Sequence, residues 1–238
     1  MNTRRLKREN PILPSPKREA AVKKSPIVEQ GVIAGNVYDK YGTGNPLARF
    51  LMGRFQRSLS ELVALTGAGD IHEVGCGEGL LSIQLAAPNR RLRASDFSEK
   101  IIAAARQNAR ARGVDIAFKA ASIYDLAPPD DAAELVVCCE VLEHLEDPQR
   151  ALSALARLAN PYLIVSVPRE PLWRILNAAR GRYLCQLGNT PGHLRHWSKK
   201  RFLNFLRPHL KIVKVLTPIP WIMVLTRAER RPSRQGSS

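Results

Sequence analysis

Three glycines at alternate positions, Gly75, Gly77 and Gly79, follow the short apolar run Ile71–Val74, and Glu73 stands two residues ahead of the first. Glycine tolerates positive φ and lets the backbone come within contact distance of a ligand. A lone G-x-G-x-x-G is a weak signal, but G-x-G-x-G behind an acid is a different pattern. A pyrophosphate disfavours a nearby carboxylate, whereas the amino group of a methionine moiety is attracted to one. The turn therefore favours S-adenosylmethionine (SAM) over a dinucleotide. Its candidate cofactor-binding residues are Glu73, Gly75, Cys76, Gly77 and Gly79.

A second carboxylate, Asp96, follows the glycines by about 20 residues at the end of the second expected strand. An acid in that place can accept both ribose hydroxyls, and Phe97 can stack beside an adenine. Taken alone, Asp96 could equally cap the next helix together with Ser98. Further along, Glu140, Glu143 and His144 stand directly after the run Leu135–Cys139. On a helical turn, positions i, i+3 and i+4 share one face. Two carboxylates and an imidazole suit a divalent ion if a fourth ligand arrives, and His193 is the candidate. Without a metal, His144 or His193 can take the proton of a hydroxyl acceptor, since imidazole titrates near neutrality. The acids can also serve only to complement a helix dipole.

The elements needed to position these groups are legible as an alternation. Leu47, Leu51, Phe55, Leu59 and Leu62 recur at helical spacing up to about Thr66. Strands are expected at 71–74, 91–95, 116–119, 135–139 and 162–167, with helices at 80–87, 99–112 and 148–158 between them. That rhythm means an α/β fold with a mostly parallel sheet covered on both faces. Ser198 is a good N-cap for a helix to about Leu206. The segments 211–216 and 221–226 complete seven strands as an antiparallel pair at the sheet edge. Residues 168–197, with Trp173, Tyr183, His193, His196 and Trp197, read as an insertion over the carboxyl ends of the strands. Trp173 and Tyr183 can wall an apolar acceptor or simply pack the insertion on the sheet. This insertion and the loop Asn36–Tyr41 are expected to close over the site and exclude water.

The runs HEVGCGEG, SDFS and VVCCEVLEHLEDP, in that order, resemble class I SAM-dependent methyltransferases, and more narrowly the branch of ubiquinone-biosynthesis O-methyltransferases. The resemblance covers about residues 36–226. It implies a Rossmann-like fold and a SAM site lined by Glu73, Gly75, Gly77, Asp96 and residues after the third and fourth strands, Glu140 among them. Where that family often has an aspartate reaching the adenine amino group, this chain has Ser122, with the Ile123 N–H available to adenine. The E-x-x-E-H pattern followed by a His is also similar to small-RNA 3′-terminal 2′-O-methyltransferases.

Composition bounds the rest. The chain has 238 residues and a net charge of +16. Residues 1–30 carry eight Lys/Arg against three acids and residues 227–238 four against one, so the two tails hold half of the excess. The proline-rich, aperiodic N-terminal stretch is expected to be disordered. The expected division is a basic tail at 1–30, a methyltransferase domain at 31–226 and a basic C-terminal tail at 227–238. No apolar run approaches the ~20 residues needed to cross a bilayer. Four cysteines lack C-x-x-C spacing, which suits a reducing cytoplasm. The favoured reading is methylation of a small molecule, at a hydroxyl oxygen. RNA methylation and a non-catalytic nucleotide-binding protein are the competing readings, and oligomeric state has no signal.

Overall fold

The computed structural model describes residues 27–29, 32–34, 45–179 and 194–228. Seven strands form one sheet: β3 (Asp70–Val74), β4 (Arg91–Asp96), β5 (Ala117–Ala120), β6 (Ala133–Cys139), β7 (Ala159–Pro168), β8 (Leu210–Leu216) and β9 (Trp221–Ala228). Their order is β5-β4-β3-β6-β7-β9-β8, with β5 to β7 parallel and β9 antiparallel to both of its neighbours. The chain builds outward from β3 to β5, then returns to the other side of β3 for β6. That reversal opens a crevice beyond the carboxyl ends of β3 and β6, where open α/β sheets bind ligands.

Side-chain alternation along the buried strands divides the interior into two cores. Leu135, Val137 and Cys139 of β6 face α1 (Pro46–Thr66), α2 (Leu80–Leu85) and α3 (Glu99–Ala111). Val136 and Cys138 face α4 (Pro148–Leu158) and α6 (Lys199–Leu206) on the opposite side. A parallel strand covered on both faces reads as a near-continuous apolar run, and β6 is apolar and buried from Leu135 to Cys139. Helix starts follow their capping residues. Asn45 accepts from the N–H groups of Leu47 and Ala48 ahead of α1, with Pro46 at the first helical position. Ser98, Asp147 and Ser198 play the same part for α3, α4 and α6.

One expectation changes, and two elements had no sequence counterpart. The segment after β6 is not an α-helical turn but a short 3₁₀ turn, Leu142–His144. Within the expected insertion, Leu172–Ala179 forms α5. Near the expected boundary of the N-terminal tail, Ile27–Glu29 (β1) pairs antiparallel with Val32–Ala34 (β2). Tyr183, His193, the Asn36–Tyr41 loop and the C-terminal tail beyond Ala228 lie outside the described residues.

Candidate active site

The glycine turn connects β3 to α2. Gly75 and Cys76 donate their N–H groups to the Ser95 carbonyl at 2.8 and 3.0 Å, which ties the turn to the neighbouring strand β4. Gly75 has φ +77°, and a β-carbon there would lie 2.3 Å from Val141 Cγ2. At Gly77, φ is +54° and a β-carbon would meet nothing within 4 Å. The two positions differ in kind. Gly75 is needed for packing inside the protein, while Gly77 presents bare backbone to open space, as a ligand-facing turn requires.

Glu73 lies below this turn rather than in the open. It is buried, and its carboxylate accepts a hydrogen bond from the Ser82 hydroxyl in the first turns of α2. Burial pushes its pKa up to about 8, against the lowering effect of the Ser82 bonds. The structure thus gives Glu73 a protein partner in addition to the cofactor amino group expected for it. Cys76 is buried, and desolvation pushes its thiol well above the usual range, so the side chain acts as a small hydrophobe. Cys138 and Cys139 are also free and buried.

Asp96 ends β4 on the adjacent side of the crevice. Its Oδ2 accepts from the Gly77 N–H at 2.9 Å, and its Oδ1 accepts from the Ser98 N–H at 3.2 Å. A carboxylate offers about four acceptor sites on its two oxygens, so these bonds are compatible with a role toward ribose hydroxyls. The two readings of Asp96 are therefore compatible: it braces the start of α3 and faces the glycine turn together. Phe97 beside it is 36% exposed, an aromatic face at the rim. After β5, the Ser122 hydroxyl accepts from the Tyr124 N–H and the Ser122 carbonyl from the Asp125 N–H. Ser122 thereby shapes a local turn, with its O–H still able to donate, and Ile123 beside it is buried.

Beyond β6, Glu140 adopts φ +60°, the one positive φ at a non-glycine among the described residues. Its Oε1 accepts from Ser166 Oγ at 3.2 Å and its Oε2 from Trp221 Nε1 at 2.7 Å. Trp221 in turn packs edge-on against Phe55 of α1 and against Trp173 of α5, with centroids 5.0 and 5.7 Å away. Ser82, Ser166 and Trp221 carry no sequence signal: Ser166 and Trp221 gain their roles through Glu140, 26 and 81 positions away, and Ser82 meets Glu73 only once α2 docks on β3.

Glu143 is buried, and its backbone carbonyl accepts from the N–H groups of Leu194 and Arg195 at 2.9 and 3.1 Å. Arg195 also reaches the Glu146 carbonyl at 2.8 Å, and Trp197 accepts from the Glu170 N–H at 2.9 Å. Residues 194–197 thus strap the 3₁₀ turn to the exit of β7. Half-buried His144 ends that turn. Among the described residues, no three His, Cys, Asp or Glu side chains form a group able to hold a metal ion. Glu140, Glu143 and His144 do not assemble the expected set, because Glu140 precedes the turn in a left-handed conformation and is held by Trp221 and Ser166. His193, the expected fourth ligand, lies outside the described residues.

A family model described as a methyltransferase domain matches residues 71–162, which hold the glycine turn, Asp96 and Glu140. The ubiquinone biosynthesis O-methyltransferase of Alkalilimnicola ehrlichii is 34% identical over 145 residues, which are 58% of this chain and 55% of that one. The chain thus spans little more than half the length of that relative. The enzyme of the same description from Xylella fastidiosa is 29% identical over 77% of this chain and 78% of its own. Among solved structures, magnesium protoporphyrin IX methyltransferase from Synechocystis PCC 6803, with bound S-adenosylhomocysteine (SAH), superposes with a TM-score of 0.61. It is 23% identical over 80% of this chain and 91% of that one, a likeness of fold. An N-methyltransferase from Bradyrhizobium japonicum aligns with a TM-score of 0.57 and 20% identity over 76% and 98% of the two chains. With a methyltransferase-domain match across its glycine turn and the reversed sheet order beneath it, the chain has the Rossmann-like fold of class I methyltransferases and is similar to the ubiquinone-biosynthesis O-methyltransferases.

Proposed function

We propose that the chain transfers the SAM methyl group to a hydroxyl oxygen of a small organic acceptor, the reaction type that the names of its ubiquinone-biosynthesis relatives carry. The observation that supports this reading best is the turn at Gly75–Gly79, braced by Asp96 on one side and by Val141 beside Glu140 on the other. In this reading Asp96 receives the ribose, Gly77 passes under the cofactor, Phe97 and Ile123 flank the adenine, and Ser122 donates to it.

Methyl transfer is an in-line displacement. An acceptor oxygen lone pair forms the C–O bond while the S–C bond breaks, and the electron pair stays on sulfur as SAH. The protein's largest contribution is alignment. In this reading the acceptor proton goes to His144, which ends the 3₁₀ turn after β6, with His193 as the alternative base. Helix α5 and the strap at 194–197 cover the carboxyl ends of β6 and β7 and limit water access. A divalent ion at Glu140, Glu143, His144 and His193 stays outside this reading, because the described residues do not assemble that set. No step is routed through one.

Calorimetry with SAM and with NAD tests the cofactor assignment, and no SAM binding at millimolar concentration would sink it. Labelled SAM offered with a small-metabolite extract, or with total RNA, separates the acceptor classes. Label entering RNA and no metabolite would overturn the small-molecule reading. Repeating the assay in EDTA settles the metal, since activity lost in EDTA and restored by a divalent ion would bring His193 in as a ligand.

A further inference from the structure

Glu140 combines three features no other described residue shares: an uncommon backbone conformation, a place at the sheet's reversal point, and a carboxylate held from two other strands. A non-glycine residue in the left-handed region is strained and persists only where its surroundings enforce it. The enforcement is visible. The Glu140 N–H donates to the Ser166 carbonyl at 3.1 Å, and its two carboxylate oxygens take the Ser166 hydroxyl and the Trp221 indole N–H. Both of these donors are neutral groups, and they orient the carboxylate.

Asp96 and Glu140 stand at the ends of β4 and β6, with β3 between them. Two strand spacings separate them, about 10 Å. A cofactor whose ribose sits at Asp96 and crosses the glycine turn brings its methionine end, with its ammonium group, to the Glu140 side.

We propose that Trp221 is a positioning residue, whose indole N–H sets the Glu140 carboxylate toward the methionine ammonium of the bound cofactor. The proposal rests on the cofactor placement given above. Trp221 is suited to the task because it is buried, pairs with Pro168 at the mouth of β7, and is wedged between Phe55 and Trp173. An indole so confined has one place to put its N–H.

The test compares two ligands by calorimetry. SAH carries the amino acid end, and 5′-methylthioadenosine carries the same nucleoside and thioether without it. Trp221→Phe keeps a ring in the cluster and removes the donor. The expected result is about tenfold weaker SAH binding with methylthioadenosine binding within twofold of wild type. Glu140→Gln should show the same split, and the double variant should bind SAH no worse than Glu140→Gln alone. Equal losses for both ligands, no loss for either, or additive losses in the double variant would each overturn the proposal. Should Trp221→Phe fail to fold, Ser166→Ala removes the other donor and must show the same ligand split, or the proposal falls. A wild-type protein that binds neither ligand would instead refute the cofactor placement itself.

Discussion

A β-carbon added to Gly75 would lie 2.3 Å from Val141 Cγ2, inside the van der Waals radii of both atoms. The first glycine of the turn and the segment leaving β6 are therefore fitted to each other, and their contact holds the two walls of the crevice at a fixed separation. Gly75→Ala should destabilise the protein by about 1–3 kcal/mol through overpacking, with about 1–2 kcal/mol more from the left-handed backbone. SAH binding should fall at least tenfold. Adding Val141→Ala should recover part of the melting temperature while leaving the backbone cost, which thermal denaturation of the three variants would measure. Wild-type stability in Gly75→Ala alone would contradict this account.

Glu73 offers a pH-dependent test on the opposite side of the same turn. Burial raises its pKa to about 8 in the folded state. A carboxyl whose folded pKa exceeds its unfolded value contributes stability below the unfolded value, near 4.5, and that stability is lost as pH rises toward 8. Glu73→Gln keeps an acceptor for Ser82 and cannot ionise. Its melting temperature relative to wild type should climb steadily between pH 5 and pH 9 in the absence of ligand. A constant offset across that range would show that Glu73 is already ionised at low pH.

What the sequence made legible follows the physics of each signal. The α/β rhythm is readable because β6 is apolar from Leu135 to Cys139 and α1, α3 and α4 carry clear apolar faces behind Asn45, Ser98 and Asp147. The antiparallel pair β8 and β9 also stands where the edge was expected. The turn after β6 was misread, since E-x-x-E-H carries helical spacing but Glu140 leaves the helical region altogether. Trp221 was invisible as a site residue because its partner Glu140 lies 81 positions away, and no local pattern encodes that pairing. Glu73 was readable as an acid near the cofactor turn, yet its burial against Ser82 depends on how α2 docks.

His72 gives a second titration with the opposite slope. It is buried on β3, with Nδ1 2.8 Å from the Asp131 carbonyl oxygen and Nε2 3.0 Å from Ser95 Oγ. Desolvation lowers its pKa, with the Asp131 carbonyl opposing that shift and Arg93 adding to it. A histidine kept neutral by folding contributes stability above its unfolded value, near 6.5, which is lost as pH falls through the folded value. His72→Asn, short and still able to hydrogen-bond, should be less stable than wild type at pH 7, with the gap narrowing by pH 5. Urea denaturation at the two pH values measures it, and a gap that widens on acidification would contradict the assignment.

Asp96 separates bracing from binding, because the same carboxylate holds Gly77 and Ser98 while facing the crevice. Asp96→Asn keeps an acceptor for only one of those two N–H groups and removes the charge. Hydrogen bonds to a charged group contribute about 1.5–3 kcal/mol, so losing them to ribose should weaken SAM by about 10- to 100-fold. Asp96→Ala removes the brace as well and should lower the melting temperature more than the asparagine variant does. Calorimetry with adenosine, which keeps the ribose, should show the same loss as SAM for Asp96→Asn. The ribose assignment would be wrong if adenosine bound both proteins equally, and Asp96 would then serve only to hold the turn against α3.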